Sequence, residues 1–280
     1  MKGGCSNSGM AALCSNVGPV TTNASLSLTA PSRRRITVEM VIVFGLSLGQ
    51  SGVYAILNLV RRYLSETPLG DQSASLNVSQ TTQAALDLIY QLLGIAFGLM
   101  PMALAIYLLA PSGRAALAKL GLDFSLPLRD VGIGALLAAL IGIPGIGLYA
   151  IGRALGLSAE VAASGLNTHW WTIPVLILAA LKNALLEEVI VVGYLADRLT
   201  ALRWSPVAII ALSSVIRGSY HLYQGPAMAV GNVVMGVVFA TYFVRFRRTG
   251  PLIIAHTLLD VVAFVGYALL PESWIAMLNG

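Results

Sequence analysis

The chain has 280 residues, of which 57% are hydrophobic and only 10% charged. Soluble globular proteins carry about a quarter charged residues, so this composition excludes a water-soluble fold. The net charge of +5 would suit a nucleic-acid binder, but the basic residues stand mostly at the ends of apolar runs, where they act as topology signals. The expectation is an all-α polytopic transmembrane helix bundle whose partner is the lipid bilayer, with no nucleic acid.

In chain order, residues 1–35 read as a disordered polar tail rich in Ser, Thr, Asn and Gly. It holds both cysteines, Cys5 and Cys14, and has no secretory apolar core. The membrane domain is 36–280. Arg33, Arg34 and Arg35 precede a first apolar run over 36–60, which Arg61 and Arg62 close. The second run covers 84–110, and the start of the basic loop after it suits a short interfacial helix. A Gly-rich third run, 131–151, and a more polar stretch lead to a fourth over 170–196. The fifth, sixth and seventh cover 206–223, 226–244 and 251–270, and the last ten residues suit an interfacial turn. That makes about seven spans, or eight if 153–168 forms a half-span. A cytoplasmic N-terminus puts twelve basic residues inside and only Arg61, Arg62 and Arg153 outside, which is the favoured arrangement.

Charges inside spans cost about 2.5–3.5 kcal/mol each, face the bundle interior and mark function by default. Three helices carry such groups at one-turn spacing. The fourth run holds Lys182, Asn183, Glu187 and Glu188. Asn183 and Glu187 share a face, and Tyr194 is expected to continue it. Glu188 should point about 100° away and meet different neighbours. The fifth run holds Arg217 and His221, with Tyr220 beside them, and the seventh holds His256 and Asp260.

This inventory suits hydrolysis. A carboxylate, alone or with a histidine, takes a proton from water, and a second histidine stabilises the oxyanion that develops on a carbonyl. The alternatives are a structural ion pair of Glu188 with Arg217, histidines that only bridge helices, or a proton relay in a transporter. Zinc could be held by Glu187, His221 and His256. No HExxH is present and no cysteine lies in the membrane, so no cofactor is favoured.

The pattern resembles the CPBP family of intramembrane endopeptidases, also called the Abi family, which includes type II CAAX prenyl endopeptidases. Its motifs are EExxxR, FxxxH and Hxxx(N/D) on successive helices. The matching residues are Glu187-Glu188, then His221, then His256 with Asp260, within 170–265. The resemblance implies that Glu187 and His221 activate water, while His256 and Asp260 bind the substrate carbonyl and its oxyanion. The motif arginine falls at Val192 and the motif phenylalanine at Arg217. A charge lost at one motif position and gained at another suggests that Arg217 pairs with Glu188, which becomes an anchor beside the base Glu187. The substrate would be a membrane-associated peptide, with a prenylated CAAX-like peptide as one case. A bacterial cell membrane is the expected location. Non-catalytic roles in immunity or scaffolding and a proton-coupled transporter are the competing functions. One geometric tension remains. At 1.5 Å per residue, Glu187, His221 and His256 come out at about 15, 22 and 8 Å from the cytoplasmic end.

Overall fold

The computed structural model describes residues 31–123, 125–162, 164–269 and 271. The first helix pair is α1 (Arg33–Gly45) and α2 (Leu48–Tyr63), bent by 52° at the break between them. At this break the Ser47 hydroxyl donates to the Val43 carbonyl at 2.6 Å. The three arginines 33–35 thus begin a helix rather than end a tail. Residues 1–30 of the predicted tail, and the predicted terminal turn apart from Pro271, lie outside the described residues.

Helix α3 (Ala84–Gly98) meets α4 (Met100–Leu109) at a break where Pro101 cannot donate to the ladder. Helix α5 (Gly113–Lys119) is the short element expected in the basic loop, capped by Ser112, whose hydroxyl accepts from the Ala115 amide. The long α6 (Pro127–Ala154) carries Pro144 inside it. Helix α7 (Thr172–Glu187) runs without a gap into a π-helical segment, Glu188–Tyr194, and then α8 (Leu195–Ala201). Helices α9 (Pro206–Tyr220), α10 (Pro226–Phe246) and α11 (Gly250–Leu269) complete the bundle.

The expectation of about seven spans is met only in coarser form. Among the described residues, four helices, Ala84–Leu109, Pro127–Ala154, Pro226–Phe246 and Gly250–Leu269, are long and apolar enough to cross a membrane, or five if the bent first pair counts as one. Helix α9 has 15 residues, about 22 Å at 1.5 Å per residue, short of a hydrocarbon core of about 30 Å. The fourth run is helical without a gap from Thr172 to Ala201, but it carries charges and changes from α to π geometry at Glu188. The fold is also not purely helical. Strand β1 (Ser73–Ser75) pairs in parallel with β2 (Glu160–Ala162), and this replaces any helical half-span over 153–168. Loops that follow the first and third apolar runs therefore meet at one end of the bundle. At the other end, Arg248 bonds Asp130 and Asp123, the Thr249 amide donates to the Leu120 carbonyl, and Arg33 donates to the Leu202 carbonyl.

Helix α10 packs along α9, and α11 along both α6 and α7. One core gathers Val192, Leu195, Phe239, Phe243 and Leu252, and a second gathers Val43, Leu109, Leu120, Ile190 and Tyr194. Apolar side chains such as Leu140, Ile143 and Ile146 on α6 are exposed, as lipid-facing residues are. Gly225 starts α10 at φ +110°, and a β-carbon there would run into the Leu157 carbonyl, so the position requires glycine.

Candidate active site

The three polar patches converge. Glu187 ends α7, Arg217 and Tyr220 lie in the last turn of α9, His221 caps that helix, and His256 and Asp260 sit one turn apart on α11. The Arg217 guanidinium is wholly buried. Its Nη2 lies 2.6 Å from Glu188 Oε1 and its Nη1 3.4 Å from Glu187 Oε2. Behind it stands Phe239, with 5.3 Å between guanidinium carbon and ring centre. The expected Arg217–Glu188 pair is present.

His256 Nδ1 is 2.7 Å from Glu188 Oε1, and its Nε2 is 4.0 Å from Glu187 Oε2 and 3.7 Å from Asp260 Oδ1. Asn183 donates to Asp260 Oδ2 at 3.1 Å. His221 Nδ1 lies 3.0 Å from the Arg217 carbonyl. A carbonyl can only accept, so Nδ1 carries the hydrogen and Nε2 of the neutral ring keeps its lone pair. His221 is within electrostatic reach of Glu187 and His256.

Glu187, His221, His256, Asp260 and Asn183 all line one cavity of about 1360 Å³ between α6, α10 and α11. Leu140, Ile143 and Ile146, which are exposed apolar side chains of α6, line it too.

Two expectations about the fourth run need correction. Glu188 does not point away to separate neighbours, because both glutamates converge on Arg217 and approach His256. Tyr194 does not continue the Asn183–Glu187 face. It is buried in the second core with Arg198 5.3 Å from its ring. The π turn between them adds an extra residue per turn and rotates everything beyond Glu188. The depth tension resolves at the start of α11. Thr249 is fully buried, with its amide and hydroxyl both donating to the Leu120 carbonyl, so the helix begins inside the protein.

Sequence reasoning placed Tyr220 beside Arg217 and His221 but gave it no role; its hydroxyl donates to Glu187 Oε2 at 2.7 Å. The available signal was its i+3 spacing from Arg217.

The residues close enough to share a metal ion are Glu187, Glu188 and His256, a different set from the Glu187, His221 and His256 expected as the zinc alternative. They do not fit a metal. A guanidinium already bonds both carboxylates, and His256 Nδ1 is spent on Glu188. A divalent cation would sit against a fixed positive charge.

These features define an integral membrane protein with a buried carboxylate–histidine–arginine centre open to an apolar cavity. Residues 169–262 match the model of a protein family described as type II CAAX prenyl endopeptidase Rce1-like. The match bears out the family resemblance read from the motifs and covers the helices that carry the site. Among curated proteins and solved structures, none matches the chain.

Proposed function

We propose that this protein is an intramembrane endopeptidase that hydrolyses a peptide bond of a membrane-associated substrate with glutamate- and histidine-activated water. The observation that carries this reading is the Glu187 carboxylate. Tyr220 and Arg217 fix it at the cavity wall, and His256 Nε2 stands 4.0 Å away.

A water between Glu187 and His221 gives one proton to Glu187 while its oxygen bonds the carbonyl carbon. The carbonyl electron pair moves to oxygen, where a proton on His256 Nε2 stabilises it. The C–N bond then breaks, and the proton held by Glu187 passes to the leaving nitrogen. His221 Nε2 accepts a hydrogen bond from the same water and orients it. Asp260, when ionised, has no hydrogen to donate to an oxyanion. Its task is to hold Asn183 and the edge of the His256 ring. Glu188 fixes the opposite edge of that ring and anchors Arg217.

A lipidated peptide, such as a prenylated CAAX-like chain, suits the cavity because its lining is mostly apolar and includes exposed apolar side chains of α6. The orientation that fits has Arg33, Arg198, Arg203, Arg245 and Arg248 on the cytoplasmic side, and Arg62 and Arg153 opposite.

The test is cleavage of a membrane-peptide library by the purified protein, compared with Glu187→Gln and His221→Ala. Each variant should lose at least about a hundredfold in rate, as expected for a general base. Equal product from all three proteins would remove the enzyme reading.

A further inference from the structure

Lys182 is a charged residue on the cavity wall that the hydrolytic scheme leaves unused. It lies on α7 ten residues past Thr172, about 15 Å along the axis from the start of the helix. Among the described residues its ammonium has no hydrogen bond and no ion pair, although it feels the charges of Glu187 and Asp260. Its stem has a prepared path. It crosses Gly98 on α3, where a β-carbon would stand only 3.0 Å from the Lys182 Cδ. A larger residue at 98 would push the ammonium from its position.

An ammonium held without a direct partner in a mostly apolar cavity is costly. Glu187 and Asp260 act on it only from beyond ion-pair distance, so an anion that arrives from outside can pair with it directly. We propose that Lys182 binds a carboxylate of the substrate, namely the α-carboxylate at the C-terminus of the peptide. This rests on the endopeptidase reading. Lys182 and Glu187 are five residues apart, about 7.5 Å along the helix. An extended peptide rises about 3.3 Å per residue, so a chain end held at Lys182 puts the bond facing Glu187 a few residues from that end. A lysine that merely balanced Asp260 would be indifferent to the chain end.

The experiment uses three matched membrane peptides: one with a free C-terminal carboxylate, one with a C-terminal amide, and one amide with an added Asp near the end. Wild type and Lys182→Gln are compared, with KM and kcat read separately. Wild type should prefer the acid over the amide by about tenfold, the worth of one charge-assisted hydrogen bond, and mostly in KM. In Lys182→Gln the ratio should fall to about one, and Lys182→Arg should restore it. Equal cleavage of acid and amide by wild type, or a preference that survives Lys182→Gln, overturns the proposal. An Asp peptide that matches the free acid overturns the chain end as the anion. Binding of the same peptides to Glu187→Gln, and to Glu187→Gln with Lys182→Gln, measures the preference without turnover. A carboxylate preference lost with Lys182 but with no cleavage by wild type would therefore sink the endopeptidase reading and leave this site standing.

Discussion

Replacing Arg217 by Phe tests the centre of the site. The guanidinium is fully buried, lies 2.6 Å from Glu188 Oε1 and 3.4 Å from Glu187 Oε2, and packs against Phe239. Without it, among the described residues Glu188 keeps only His256 and Glu187 keeps only Tyr220 as hydrogen-bonding partners. Breaking a buried ion pair on one side costs about 3–5 kcal/mol, because a carboxylate stays buried uncompensated. For a domain of this size each kcal/mol is worth about 2–4 °C, so Tm should fall by about 6–20 °C. Val192 is 1% exposed and belongs to the same apolar cluster as Phe239, the ring that backs the guanidinium. Val192→Arg should therefore recover much of the loss in the Arg217→Phe background, while alone it should destabilise by burying a second cation. Thermal unfolding in detergent micelles measures all four proteins as a double-mutant cycle. A Tm for Arg217→Phe within about 2 °C of wild type, below the cost of a broken buried pair, would refute the reasoning. A double variant no more stable than Arg217→Phe would refute the compensated exchange.

Tyr220→Phe removes the hydroxyl that fixes Glu187. A hydrogen bond to a charged group is worth about 1.5–3 kcal/mol, so kcat should fall about 10- to 100-fold with KM little changed. A loss confined to KM would instead place Tyr220 in substrate binding. Excess strong chelator should leave peptide cleavage intact, because Arg217 already bonds the two glutamates nearest His256. Inactivation by chelator with recovery on added zinc would overturn that view.

Much of the site could be read in the chain because its signals are local. Arg217 with His221 and His256 with Asp260 stand one turn apart within apolar runs, and such pairs have no reason to be there unless they face each other across helices. The Arg217–Glu188 contact was legible for a similar reason, since one motif charge is missing at Val192 and another appears at Arg217. What stayed hidden depends on contacts distant in sequence or on backbone geometry without a side-chain signature. Residues 188–194 contain Val-Ile-Val-Val-Gly, which looks the same in an α-helix as in a π turn, so the displacement of Tyr194 could not be foreseen, and the convergence of both glutamates comes from the two Nη atoms of a single Arg217 on another helix. The buried start of α11 depends on Leu120, 129 residues away from Thr249. The bend between α1 and α2 carries neither proline nor charge to announce it.

The π turn gives one unbroken helix two independent phase settings. On its near side, Glu187 is locked by Arg217 and Tyr220. On its far side, Arg198 is locked by Glu39 at 3.6 Å and by the Leu108 carbonyl. An uninterrupted α-helix could satisfy one of these locks or the other. Deleting a single residue between Val189 and Gly193 would turn α8 by about 100° relative to α7. The half that carries Glu187 would keep its alignment while Arg198 swung away from Glu39. The surplus residue thus works as a phase shifter that lets the chemistry and the anchoring of the helix end be tuned separately.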